Sequence, residues 1–479
     1  MNFSDNDKKQ IENHGLTLKE IEEQLEKFKS GFPFVDIVKP AQINDGILEC
    51  QESDCEKYIR EYEEYSKNHK IIKFVPASGA ATRMFKDLFD FVATDSPNET
   101  STKTISNLSK FAFYDSLKSY IPENASDKEI IQYILTDQGL NYGNKPKGLI
   151  EFHKYKTGSK TPVEEHLTEG AQYATSGNNV NIHFTISPEH RKGFTDLLNR
   201  VIPEYEKQYG LKYNVSLSEQ KKSTDTIAVN PDNTLFRNSD GTLLFRPAGH
   251  GALIENLNDL DADLIFIKNI DNVTTDDLRS DTIKYKKVLA GVLIDLQKQI
   301  FDLLKSDIND IEIYHDFVTQ KLNIKLDKKL TLSEYKKILN RPLRVCGIVK
   351  NTGAPGGGPF WVKNDQGIIS LQIVESSQIA PESKDIMKTA SFFNSVDLVC
   401  APKDYQGNKF DLREYIDENT GFISEKSKNG VSLRAMERPG LWNGAMANWN
   451  TIMVAVPIST FSPAKVVTDL LSEAHQTKI

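Results

Sequence analysis

The chain has 479 residues, long enough for more than one hydrophobic core. Apolar residues make up 38% and charged residues 26%, with a formal net charge of −8. That composition excludes a disordered chain and disfavours a nucleic-acid-coating role. No window approaches about 18 uninterrupted apolar residues, which excludes a transmembrane helix. The polar start MNFSDNDKKQ carries no apolar leader. Four cysteines (Cys50, Cys55, Cys346 and Cys400) are too few for a disulfide framework. The expectation is a cytoplasmic protein acting on small molecules, with neither nucleic acid nor membrane as partner.

Residues 1–70 read as a polar helical appendage. Ile21, Leu25 and Phe28 recur at helical spacing, and CEKYIREYEEYSKNH carries Ile59 and tyrosines suited to one face. At residue 71 the texture changes. IIKFVP predicts a buried strand, broken by the small residues ASGAAT before a helix carrying Met84, Phe85, Leu88 and Phe89. Residues 94–145 read as a helical insertion. Strands and helices then alternate: NVNIHFTIS as strand, a long helix opened by Ser187-Pro188, YNVSLSEQ, TIAVN and LIFIKNIDN. After a helical passage over 273–340 come PLRVCGIVK, IISLQIVESSQI, VDLVCAP and TIMVAVPIS, all strand-like. This order predicts an α/β domain with a mixed sheet, and no internal repeat stands out.

Four segments carry residues suited to chemistry. In PASGAATRM, small side chains let backbone N–H groups approach a phosphate and Arg83 supplies a cation; an ordinary strand-to-helix turn is the alternative. Gly249-His250-Gly251 opens a helix and presents one imidazole. Asp271-Asn272 end a strand where ligands of open α/β sheets bind, and a carboxylate there suits Mg²⁺ bridging phosphates; Asp271 as the cap of the following helix is the other reading. NTGAPGGGPFW (351–361) is a flexible loop suited to covering a ligand or to a hairpin tip. Glu375 follows it in SLQIVESSQI. No Walker lysine loop, HExxH or paired-cysteine zinc spacing occurs.

Taken in order from about Lys73 to the C-terminus, these segments resemble the UDP-sugar pyrophosphorylases, nucleotidyltransferases with a Rossmann-like GT-A fold. They resemble still more closely an uncharacterised bacterial family related to those enzymes. The resemblance matches PASGAATRM to the phosphate loop and Pro146-Lys147-Gly148 to a cationic motif. It matches Gln220 to a nucleobase contact, Gly249-His250-Gly251 to a segment against base and ribose, and Asp271-Asn272 to the metal strand. Val374-Glu375-Ser376-Ser377-Gln378 and Phe393-Asn394 match sugar contacts, Asp397 a further polar ligand, and Phe461-Ser462-Pro463-Ala464-Lys465 a C-terminal lysine motif. Ser78 and Ala81 stand where that family usually has glycine, and Lys147 follows its loop at an unusual distance.

The resemblance implies an α/β, GT-A or Rossmann-like nucleotide-diphospho-sugar transferase fold with a mixed central sheet. The expected parts are the appendage 1–70, a core 71–400 holding the insertion 94–145, and an extension 401–479 contributing Lys465. The implied reaction is Mg²⁺-dependent: UTP and a sugar 1-phosphate give a UDP-sugar and pyrophosphate. Arg83, Lys147 and Lys465 would act on phosphates, with Asp271 and Asp397 on the metal. Ser78, Gly79, Ala80, Ala81, Thr82, Gln220, Gly249, His250, Gly251, Asn272, Glu375 and Asn394 would bind substrate. A GT-A glycosyltransferase and a non-catalytic nucleotide-sugar-binding protein are the alternatives.

Overall fold

Short runs rich in Ile, Val, Phe and Leu, each ending in a turn, assemble side by side into a ten-stranded mixed sheet. The computed structural model describes residues 3–79, 81–353 and 356–478. At the centre, the strand Ile71–Pro76 lies parallel to Leu264–Lys268 on one side and to Asn179–Ile186 on the other. Lys212–Glu219 adds a further parallel strand on Asn179–Ile186. Phe392–Ala401 runs against its neighbours, between Leu264–Lys268 and Leu343–Lys350. Beyond them Asn450–Ala455 and Gly46–Leu48 pair parallel. Leu264–Lys268 is buried along its whole length, as a parallel strand covered on both faces must be.

One face packs the helices Glu52–Tyr65 and Ser280–Lys305 against Ile71, Phe266, Val345 and Val399. The other packs Leu253, Ile254, Leu257 and Trp442 against Ile72, Phe74, Ile265 and Ile267. The helix Pro162–Tyr173 closes the remaining end with Arg191–Tyr209; its capping box, Thr161 with Glu164, and Pro162 in the first turn explain why it starts there.

The helices over 5–30 and 52–65 lie where their spacing predicts, but the appendage is not wholly helical. Asp36–Pro40, Gln42–Ile43 and Gly46–Leu48 are strands, the first paired with Gly358–Lys363 and the last joined to the central sheet. Residues beyond 400 are likewise interleaved with the core: Val431–Glu437 pairs with Thr226–Val229, and Asn450–Ala455 lies inside the main sheet. The segment 94–145 forms the helices Glu99–Ser106, Tyr114–Leu117 and Asp127–Leu135. Their apolar faces share one cluster with Ala81, Met84 and Phe85 and with Ala464, Val467 and Leu470. The insertion therefore packs against both the small-residue loop and the C-terminal segment. No helix among the described residues is long and apolar enough to cross a membrane.

Candidate functional site

The loop after Ile71–Pro76 is the natural starting point, because parallel strands leave their ligands at their carboxyl ends. Ala77 continues the sheet, donating its N–H to Thr185 O at 2.8 Å, and Ser187 Oγ donates to Ser78 O at 3.0 Å. The N–H groups of Ser78 and Gly79 have no partner among the described residues. Nothing lies within 4 Å of where a Gly79 Cβ would stand, so the loop is open there. Ala80 lies outside the described residues. Ala81 does not face the loop's open side: its side chain is buried in the insertion core and its N–H donates to Lys145 O. Thr82 and Arg83 are exposed, and Arg83 makes no ion pair among the described residues.

Lys147, far along the chain from this loop, returns to it. Its N–H donates to Gly79 O at 3.4 Å, and its Nζ donates to Asp271 Oδ2 at 2.8 Å and to Ala464 O at 2.7 Å. Asp271 is held next to the loop because Ile270 donates its N–H to Pro76 O. The C-terminal segment lies across both. Asn272 Oδ1 accepts from Ser462 N, Ala464 N donates to Asp271 O, and Val467 N donates to Met84 O. The Asp469 carboxylate accepts the N–H groups of Lys465 and Val466, at 2.7 and 2.8 Å, which fixes the backbone beneath the exposed Lys465 side chain. Ser78, Gly79, Thr82, Arg83, Lys147, Asp271, Asn272 and Lys465 thus converge from four parts of the sequence.

The donor set fits Mg²⁺ in one way. Asp271 keeps 19% of its side chain exposed, and its Oδ1 accepts no hydrogen bond among the described residues. One carboxylate suffices for Mg²⁺ only when substrate phosphates supply further oxygens. No cluster of three or more His, Cys, Asp or Glu side chains suited to a metal occurs among the described residues. Asp397, expected beside Asp271 on the metal, is buried in the sheet and ion-paired with the equally buried Lys286. Its geometry is that of an internal charge pair.

A second group gathers on the neighbouring face. Gln220 Nε2 donates to Asp225 Oδ1 at 3.4 Å. Close by, Arg438 donates its side chain to Ser223 O and its N–H to Ala248 O, which brings Gly249-His250-Gly251 alongside. Both glycines have reasons internal to the fold: Gly249 has φ +75°, and a Cβ on Gly251 would lie 2.1 Å from Pro439 O. His250 stacks on Trp442 with ring centroids 4.1 Å apart, accepts Leu441 N–H at Nδ1, and turns Nε2 to within 3.7 Å of Glu375 Oε1. Burial opposes ionisation of Glu375, yet His250, Asn443 and Trp442 together hold its carboxyl below the usual range. Asn394 joins this group through Gly357, whose carbonyl accepts its N–H and whose Cβ position is 3.2 Å from Glu375 Cγ. Asn394 Oδ1 accepts from Val396 N, and Val396 sits at φ +57°, where β-branched residues are rarely found. That strained residue lies opposite a register shift at Gly347/Ile348 and re-aims the side chains before and after it.

Beneath the first group lies a buried ionic network. Glu169 accepts from Lys73 at 2.7 Å and from Lys268 at 2.7 Å. Burial drives the Lys73 ammonium down to about 7, while the lysines beside Glu169 outweigh its own burial and hold it far below the usual carboxylate range. His166, also buried, donates from Nε2 to Ile270 O at 3.2 Å, one residue before Asp271. On the same helix Glu165 binds Arg279, and it meets His153 at 2.7 Å, which in turn meets His475 at 2.8 Å. The network therefore braces both the Asp271 turn and the C-terminal segment. A visible sign of it in the sequence is a lysine inside each of two apolar strands, IIKFVP and LIFIK; a charged residue there must find a buried partner.

Comparison with known proteins agrees with this architecture. No curated protein matches the sequence. Among solved structures, the uridine diphosphate N-acetylglucosamine pyrophosphorylase of Trypanosoma brucei superposes with a TM-score of 0.50 at 11% identity, over 94% of this chain and 74% of that one. The UDP-glucose pyrophosphorylase of Leishmania major covers 98% of this chain and 79% of its own, with a TM-score of 0.45 and 13% identity. The inositol-1-phosphate CTP transferase of T. maritima covers 70% and 71%, with a TM-score of 0.26 and 10% identity. At 11% identity the likeness to the Trypanosoma brucei structure is one of fold: a mixed α/β architecture around a central mixed sheet. The family described as a domain of unknown function, DUF4301, matches residues 4–476, and the chain belongs to it.

Proposed function

We propose that the protein is a nucleotidyltransferase joining UTP to a sugar 1-phosphate, with release of pyrophosphate. The observation that carries this reading is the convergence of the Ser78–Gly79 loop, Arg83, Lys147, Asp271 and the Lys465 segment at the carboxyl ends of adjacent parallel strands. A triphosphate needs such a place: open amides, several cations and one carboxylate. A phosphate oxygen of the sugar 1-phosphate attacks the α-phosphorus of UTP, the bond to the bridging oxygen breaks, and pyrophosphate leaves with that electron pair. Arg83 and Lys147 bind the phosphates, and Lys465 meets the charge that shifts during attack. Asn272 holds the segment that carries Lys465. Gln220 and Gly249–Gly251 lie on the base side, while Glu375, with His250 behind it, and Asn394 take the sugar hydroxyls. No protein nucleophile is required, since positioning and charge neutralisation supply the catalysis. Mg²⁺, held by Asp271 and phosphate oxygens, would add further charge neutralisation.

The test is pyrophosphate release from UTP, with CTP and ATP as controls, across a panel of sugar 1-phosphates. Release that requires both substrates supports the reading. Transfer of sugar from a UDP-sugar would instead make the protein a glycosyltransferase, and UDP-sugar binding without turnover a binding protein. No release with any pair rejects the proposal.

A further inference from the structure

A cavity of about 420 Å³ adjoins the group around Glu375 and shares Gln378, Thr420 and Asn443 with it as a wall. Its floor is at the amino end of the strand Leu343–Lys350, where Ile338 and Arg341 precede that strand and Trp449 and Thr451 belong to the neighbouring chain segment. The phosphate loop sits at the opposite, carboxyl ends of the parallel strands, so this cavity is a separate place. Its volume falls within the range of small-molecule sites, about 300–1,000 Å³.

The charged groups along its walls, Arg341 and Lys363 with Asp36, Asp365 and Asp417, form no ion pair with one another among the described residues. Arg341 is half-buried and makes neither a hydrogen bond nor an ion pair among the described residues. Burial pulls its guanidinium down from the ordinary value. Three carboxylates line the cavity and none pairs with Arg341: Asp36 and Asp365 are exposed, and Asp417 accepts from Asn419 N. Lys363, also lining it, has no ion pair among the described residues. One layer behind, the fully buried Arg344 donates to Thr451 Oγ1 and Trp442 O, and its second Nη has no partner. Arg341 is thus a desolvated guanidinium without a carboxylate in a cavity, a state that an anion would relieve. Leu322, Ile324 and Ile338 form one apolar wall opposite polar ones that carry Gln366, Gln372 and Asn448, and Phe34 at the mouth is 54% exposed.

We propose that this cavity is a second ligand site, for a small organic anion. A phosphate or carboxylate group pairs with Arg341, and an apolar body lies against Leu322, Ile324 and Ile338 beneath Phe34. The site stands independently of nucleotidyl transfer.

Isothermal titration calorimetry with phenyl phosphate, benzoate and inorganic phosphate tests it on the full chain. Phenyl phosphate or benzoate should bind, and which of the two is tighter identifies the head group. Arg341→Met, which keeps the aliphatic stem, should weaken binding by at least about tenfold. Phe34→Ala, a truncation at an exposed position that leaves the fold intact, should weaken phenyl phosphate and leave inorganic phosphate unchanged; it decides the matter if Arg341→Met does not fold. Arg83→Ala, at the phosphate loop, should leave the affinity for benzoate unchanged. Equal affinity in wild type and Arg341→Met, no binding of any probe to wild type, or loss of benzoate binding on Arg83→Ala would each overturn the proposal. None of these outcomes bears on pyrophosphate release, so the two readings fail separately.

Discussion

Lys147 is the joint between the phosphate loop, Asp271 and the C-terminal segment, and Lys147→Met isolates what that joint does. The substitution keeps length and apolar bulk while removing the ammonium. The Lys147–Asp271 pair is 2.8 Å long with side chains 13% and 19% exposed, which at an effective dielectric of about 20 is an attraction of about 6 kcal/mol before desolvation. Most of that is cancelled by burial of the charges. The bond to Ala464 O, at 2.7 Å, is charge-assisted and worth about 1.5–3 kcal/mol to whatever it holds. Losing it should raise the open population of residues 462–470 by roughly one to two orders of magnitude, since each 1.4 kcal/mol is about tenfold. Hydrogen–deuterium exchange reads this directly, with the helix Ser280–Lys305 as an unaffected internal reference. Turnover should fall together with the lost protection. Unchanged exchange over 462–470 would refute the idea that Lys147 latches this segment over the site.

Glu169→Gln leaves the buried Lys73 and Lys268 without their shared carboxylate and should cost about 3–5 kcal/mol; a melting temperature equal to wild type would show that the network contributes nothing. His166, His183 and His475 are held neutral by burial, His183 near about 4 and His475 near about 3. The unfolded chain therefore binds more protons than the folded one below its histidine pKa of about 6.5, so stability should be insensitive to these groups above that pH and decline as pH falls towards 4. Urea midpoints that are flat from pH 7.5 to 4.5 would contradict it. Gly251→Ala should destabilise the fold strongly, because its Cβ meets Pro439 O at 2.1 Å, whereas Gly79→Ala has open space and should melt with wild type. Thermal melts of the pair separate a glycine needed for packing from one that leaves room for a ligand.

The order of the motifs along the chain carries most of the architecture, because each apolar strand ends in the residues that its carboxyl end exposes. It also places Arg83 and Asp271 at neighbouring strand ends. The return of Lys147 to the loop is not legible in spacing alone; it depends on how the helices over 94–145 fold back on Phe85 and Met84. The short strands over 36–48 lack any sustained alternation, so pairing with distant partners decides their form. Asp397 shows the limit most plainly. A carboxylate near a strand end reads the same whether it faces a metal or a buried Lys286, and only the packing of the helix Ser280–Lys305 tells them apart. A small repeat also escapes notice: Asn230-x-Asp232-x-Thr234 and Asn238-x-Asp240-x-Thr242 make the same set of turn hydrogen bonds.

The pairing of Gly46–Leu48 with Asn450–Ala455 governs how the chain can be divided. Ile47 meets Met453 across almost the whole described sequence, and Asn450–Ala455 also covers the flank of Leu343–Lys350. A fragment stopping at residue 400 would leave that flank as a bare, apolar sheet edge, an open template for association with other chains. Splitting the protein at the apparent boundaries 70 and 400 should therefore yield aggregation-prone pieces. Contacts so distant in sequence also make assembly of the sheet a late and slow event in folding.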